Sequence, residues 1–126
     1  MTTTELPEWL PDGRDMEAIR AGIDWDAIRV PAAVAQQVLE ILGERTGACI
    51  EDVWGETVYW LVPAGTAVDW TAPASQALGV ACWVTIPGPS ADGGQRWLRS
   101  IRKHGVLTGP RLLAEALASC AAGVDR

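Results

Sequence analysis

Arg96, Arg99, Arg102, Lys103, His104 and Arg111 form a basic set with no acid between Asp92 and Glu115. Guanidinium groups grouped this way can grip phosphate or carboxylate oxygens through paired N–H donors. If Arg96 and Arg102 share a strand face, they make an anion-contacting edge. The same charges have a plainer use, since cations on a sheet edge discourage pairing with other chains. A third use is pairing with the acidic half of this protein, within or between subunits. Arg96, Arg99, Arg102 and Lys103 are therefore the candidate contact residues. Trp54 joins them because a hairpin bend would expose its indole for stacking on a base.

Asp24 and Asp26 are the candidate metal ligands. Alternate residues of a strand point the same way, so a strand would aim both carboxylates at one Mg²⁺ ion. Two carboxylates seldom hold Mg²⁺ without substrate phosphates, and the preferred reading assigns no metal and no cofactor. Other chemistries find no support. Ser90, Ser100, Thr57, Cys82 and His104 have no triad spacing or nucleophile elbow. Gly93-Gly94 after Asp92 reads as a turn, and the phosphate-cradling G-x-x-x-x-G-K-[ST] pattern is absent. Cys49, Cys82 and Cys120 lie far apart without C-x-x-C spacing and, with one histidine, make a poor zinc set. They read as small buried hydrophobes.

The elements that must position these groups belong to one domain of 126 residues. The net charge of −6 is uneven: residues 1–69 hold 13 acids and 4 bases, whereas residues 70–126 hold 3 acids and 6 bases. That balance disfavours avid nonspecific nucleic-acid binding and leaves room for a local anionic contact. No apolar run is long enough to span a bilayer. The N-terminus lacks the basic and apolar regions of a signal peptide. A cytoplasmic location and no membrane partner are the expectations. Seven tryptophans and no phenylalanine imply that several indoles sit at core edges, where the N–H finds a partner. Trp60 and Trp83 fall on apolar runs and read as core.

Along the chain, residues 1–13 read as a flexible tail tethered by Leu6, Trp9 and Leu10, and residues 14–126 as a single domain. Asp15 is placed to cap a short helix over 16–22. Residues 23–30 read as a strand. Pro31 opens a helix over 32–42, whose apolar residues recur at three- and four-residue spacing and which Gly43 ends. Residues 48–52 and 58–62 read as a hairpin, the second arm rich in β-branched and aromatic residues. Residues 63–77 are loop with room for one helical turn. Residues 79–86 are continuously apolar and so read as a central strand. Residues 95–101 read as a basic strand, and Thr108-Gly109-Pro110 begins a helix with a buried stripe of Leu112, Leu113, Ala116, Leu117 and Cys120. The fold class is α+β, with a mostly antiparallel or mixed sheet of about four to five strands and two to three packed helices.

Two stretches resemble the bifunctional DNA primase/polymerase (prim-pol) family of the archaeo-eukaryotic primase superfamily, in particular its short actinobacterial members. WGETVYWLVP, residues 54–63, is similar to the family's G-G-x-H-x-Y-F-x-x-P hairpin. GVACWVTIPGPSADGGQRWL, residues 79–98, is similar to its G-G-Y-V-V-x-P-P-S strand and following Gly turn. The resemblance implies a primase/polymerase-like fold. It also implies a metal-binding D-x-D pair before the helix at 32–42 and a histidine in the hairpin. The histidine position falls on Thr57. The acid pair falls on Asp24 and Asp26 in one register and, with Ala27–Val30 as the buried strand, on Arg29 and Pro31 in the other, which is preferred because Asp24 closely follows a helix-like segment with no apolar strand leading into it. Polymerase chemistry rests on metal carboxylates and triphosphate-holding groups. The expectation is therefore a degenerate, non-catalytic member acting through a protein partner or as a homo-oligomer. The alternatives are a nucleotide or single-stranded nucleic-acid binding module using the 96–111 basic set, and a residual metal-dependent nucleotidyltransferase using Asp24, Asp26 and Mg²⁺.

Overall fold

The computed structural model describes residues 6–124. In chain order the elements are β1 (Met16–Arg20), β2 (Asp26–Pro31), α1 (Ala32–Leu42), β3 (Cys49–Asp52), β4 (Thr57–Val62), β5 (Gln76–Leu78), β6 (Trp83–Pro87), β7 (Gln95–Arg99), α2 (Ile101–His104) and α3 (Pro110–Val124). The class is α+β. Five strands form one sheet in the order β5-β2-β4-β3-β7, and β1 pairs with β6 in a separate ribbon. Every pairing is antiparallel.

Strand alternation sorts the core into two. Ile28, Val30, Cys49, Val58, Trp60 and Val62 face α1 and α3, meeting Ala35, Val38, Leu42, Leu113, Ala116 and Leu117. Ala27, Ile50 and Leu61 face the other way, onto Trp25, Leu10, Ile101 and the ribbon residues Val84 and Ile86. The molecule is thus three layers: helices, five-stranded sheet, ribbon. Polar threads tie the helical layer to the sheet. The Trp60 indole N–H donates to Thr46 Oγ1 at 2.9 Å, and the Gly47 N–H donates to Thr108 Oγ1 at 3.0 Å. The Thr108 N–H in turn donates to the Leu61 carbonyl at 2.8 Å, which fixes where α3 begins.

Several expectations need correction. Residues 16–20 are a strand, not a helix. Ile19 points inward towards the second core, while Met16, Ala18 and Arg20 point out, a period of two that the weak helical spacing concealed. The apolar run at 79–86 yields β6, which has a single strand partner and is not central. Trp83 is accordingly 63% exposed. The basic strand stops at Arg99, because Ser100 turns the chain and its Oγ accepts the Lys103 N–H as the N-cap of α2. Arg102 is therefore on a helix and shares no strand face with Arg96. The loop at 63–77 contains the expected turn, a 3-10 helix at Thr66–Asp69, and also the short strand β5. Leu10 is buried, Leu6 packs beside it, and Trp9 meets Trp25 edge-on at 5.8 Å. Residues 6–10 are thus laid onto the core; the rest of the expected tail, residues 1–5, lies outside the described residues.

Candidate functional site

Helices α1 and α3 cover the middle of the sheet but leave the helical face of β3 and β7 partly open. The opening is a trough in two adjoining parts of about 530 Å³ and 510 Å³. The first runs between α1 and the sheet, past Gln36, Leu39, Glu40, Glu51, Val58 and Leu98. The second continues past Ser100, Lys103 and His104. Gly43, Leu98 and Arg99 belong to both, so Arg99 stands at the junction.

A β-bulge puts it there. Arg96 pairs with Glu51 and Trp97 with Ile50, but Arg99 then pairs with Cys49, so Leu98 is the extra residue. A bulge re-aims side chains that strict alternation would send to opposite faces. Here Leu98 packs on the helical core and Arg99 lines the trough beside it. Arg99 Nη1 donates to the Leu98 carbonyl at 3.0 Å, and among the described residues the guanidinium enters no ion pair. Arg96 is committed instead, its Nη2 and Nε lying 3.0 and 3.1 Å from Glu51 Oε1. Beneath the bulge, burial pushes the Cys49 thiol up to about 12, against the opposing pull of the Arg99 charge. Cys49, fully buried, is therefore inert and not a nucleophile.

The structure thus divides the sequence-derived set. Arg99 and Lys103 line one trough. Arg96 is tied to Glu51, and Arg102 lines a smaller cleft with Leu10, Pro89, Trp97 and Ile101. Trp54 is 85% exposed at the tip of the β3–β4 hairpin, remote from that trough in sequence register and resting on Gly94. Gly94 has no Cβ, and that absence makes the contact possible. Sequence reasoning missed Leu39, Glu40, Glu51 and Leu98. Leu39 carried a signal, since with Ile41 it widens the apolar stripe of α1 beyond what α3 covers.

Asp24 and Asp26 have separate surroundings. Asp24 is exposed in the turn before β2, whereas Asp26 is 1% exposed. Asp26 Oδ2 accepts the Gly65 and Ala67 N–H groups at 2.9 and 2.8 Å, so it braces the turn into the Thr66–Asp69 helix. Its Oδ1 is buried without a partner. Among the described residues, no three His, Cys, Asp or Glu side chains are placed to hold a metal ion. At the opposite end of β2, Pro31 pairs with Thr57. A cleft of about 300 Å³ is lined there by Arg29, Pro31, Thr57, Ala74, Ser75 and Gln76. It holds no carboxylate and no imidazole, and the Thr57 hydroxyl is buried without a partner.

No protein-family model matches the chain, and no curated protein or solved structure is significantly similar to it. Among the described residues, no helix is long and apolar enough to cross a membrane.

Proposed function

We propose that this chain is a non-catalytic interaction module, a degenerate primase/polymerase-like domain of the cytoplasm that works through protein contacts. Its trough between α1 and β7 takes a partner segment that carries a carboxylate among apolar side chains. The observation that carries this reading is Arg99, half-buried at the junction and held by a bulge without an ion-pair partner among the described residues. A partly desolvated guanidinium gains most from a carboxylate accepting two of its donors. Leu39, Val58 and Leu98 supply apolar wall beside it. Glu40 and Glu44 line the trough as well, and with Glu51 already paired to Arg96 they set it against a polyanion. The non-catalytic part is supported by the cleft of Arg29, Pro31 and Thr57, where the family resemblance would put acids and a histidine.

Selection of displayed random peptides on the folded domain, with the Arg99→Glu protein as counter-selection, tests the proposal. The expected winners carry Asp or Glu flanked by apolar residues and bind Arg99→Glu at least about tenfold more weakly, roughly 1.4 kcal/mol. Winners indifferent to Arg99→Glu would sink it. So would tight low-salt binding of an oligothymidine strand that Arg99→Glu abolishes, or Mg²⁺-dependent nucleotide turnover lost in Asp26→Asn.

A further inference from the structure

The ribbon has an edge that no described residue uses. The Ala21 N–H donates to the Cys82 carbonyl at 2.9 Å and the Gly88 N–H to the Asp15 carbonyl at 2.7 Å. In an antiparallel ladder, hydrogen-bonded and non-hydrogen-bonded pairs alternate. Glu17 and Ile19 therefore spend their backbone groups on β6, in line with the Asp15 carbonyl and the Ala21 N–H just beyond it, and Met16, Ala18 and Arg20 aim theirs outward. The β6 side gives the same parity. Met16 pairs with Pro87, which has no N–H to give, and the Pro87 carbonyl faces away and accepts the Trp97 indole N–H at 2.7 Å. Among the described residues no backbone hydrogen bond reaches the outer edge of β1. Four of its five residues are exposed.

From this edge we infer that two copies of the chain pair β1 against β1, antiparallel about a twofold axis at Ala18. The occupant is set by the register. With Ala18 opposite Ala18, Met16 stands opposite Arg20 of the other copy, and all the outward N–H and C=O groups of Met16, Ala18 and Arg20 find partners. Glu17 then faces Ile19. A twofold axis at Glu17 would oppose Glu17 to itself and Arg14 to Arg20, and like charges directly opposite destabilise a pair. An axis at Ile19 would leave Met16 facing Gly22, whose φ of +90° has already turned out of the strand. The outer face of the joined sheet also closes apolar area. Met16 and Trp83 are 51% and 63% exposed in one copy, and Trp83 neighbours Arg20 across the ribbon. Each Arg20 stem would lie between its own Trp83 and the other copy's Met16. The assembly is isologous and closed, and it becomes a four-stranded ribbon where two strands alone are marginal. It deepens the interaction-module reading by naming a second copy as one partner and rests on it only in that sense, because the Arg99 trough is on the far side of the five-stranded sheet.

Sedimentation equilibrium of the full chain over a concentration series tests it. The expected wild-type result is a reversible dimer of twice 13.4 kDa. Ala18→Pro removes an N–H that β6 does not use, so the fold should survive while the dimer weakens at least tenfold. Ala18→Lys sets two ammonium groups face to face and should weaken it similarly, with unchanged circular dichroism, and it decides the matter if the proline variant unfolds. In a Cys82→Ala background, Ala18→Cys should crosslink to a disulfide dimer on mild oxidation, since opposed residues lie within disulfide reach. A wild-type chain that stays monomeric to about millimolar concentration overturns the inference, as does a dimer indifferent to a folded Ala18→Lys variant. Arg99→Glu leaves this dimer unchanged, which separates its failure from that of the trough.

Discussion

Replacing Asp26 tests whether this buried carboxylate is a brace for a turn or the remnant of a metal site. Asp26 Oδ2 holds two backbone N–H groups, of Gly65 and Ala67, while Oδ1 is buried and unpaired. Asp26→Ala removes the acceptor and strands two donors that helix geometry cannot satisfy, since they belong to the entry of a 3-10 turn. A hydrogen bond to a charged group contributes about 1.5–3 kcal/mol, and a partly exposed donor that regains water loses less. Both bonds are only part-buried, so the lower end applies, and the expected cost is about 2–4 kcal/mol. Asp26→Asn keeps an oxygen where Oδ2 stands and puts an amide where Oδ1 is already unpaired. It also removes a buried charge, which is itself unfavourable. The expected cost of Asn is within about 1 kcal/mol of zero.

Urea unfolding of both variants, followed by tryptophan fluorescence and fitted with a common slope, reads the two numbers. In a thermal melt the alanine variant should fall by roughly 10 °C, and the asparagine variant by no more than a few degrees. Adding millimolar Mg²⁺ should move none of the three proteins. If Asn costs as much as Ala, the charge itself is needed and the brace reasoning is wrong. A wild-type melt raised by Mg²⁺ and unmoved in Asp26→Asn would point to a metal ligand instead.

Three further outcomes follow from single contacts. A Cβ on Gly88 would meet the carbonyl of Asp12 at 2.8 Å and that of Gly13 closer still, whereas a Cβ on Gly93 meets nothing within 4 Å. In urea melts, Gly88→Ala should lose about 2 kcal/mol or more and Gly93→Ala less than about 0.5 kcal/mol. Thr46→Val takes the acceptor from the buried Trp60 indole and should cost about 1–3 kcal/mol, with a changed near-ultraviolet signal from Trp60. Cys49, with its thiol pushed up to about 12, should resist a maleimide in the folded protein at pH 8 while half-exposed Cys82 reacts. Its ionisation in the unfolded chain near pH 9 but not in the folded one means that stability is full below pH 9. That stability falls by up to about 1.4 kcal/mol per pH unit as pH rises towards 12, and Cys49→Ser should flatten the decline.

What was legible follows from how local each signal is. Helices α1 and α3 and the β3–β4 hairpin were readable because each carries its own period, and their buried stripes are those the spacing implied. Strand β1 was not, because five residues with one buried position suit a helix turn and a strand equally. The run at 79–86 was misplaced for an instructive reason. Continuous apolar character normally means burial on both faces, yet one face of β6 is open and carries Trp83. Within the trough, Arg99 was picked out by its charge, but its role depends on a bulge, and a bulge is a property of register against β3 that no single strand encodes. Arg102 was misassigned although its signal was local, since Ser100 was already a plausible N-cap.

The sheet edges explain why one of them stands out. A free edge invites pairing, and proteins blunt edges by shortness, charge, bulges or cover. Strand β5 has three residues. Strand β7 is bulged at Leu98 and carries Arg96 and Arg99, which makes its edge a poor template and leaves its face, with the trough, as the usable surface. The outer edge of β6 ends in proline and is capped at that carbonyl by Trp97. Strand β1 carries charge, at Glu17 and Arg20, but neither shortness nor a bulge over Met16–Arg20: it is regular, pairs in unbroken register with β6, and has alanine at its centre. Three edges closed by geometry and one left regular is the pattern expected where the regular one is meant to be filled. Centred on Ala18, its self-pairing opposes no like charges.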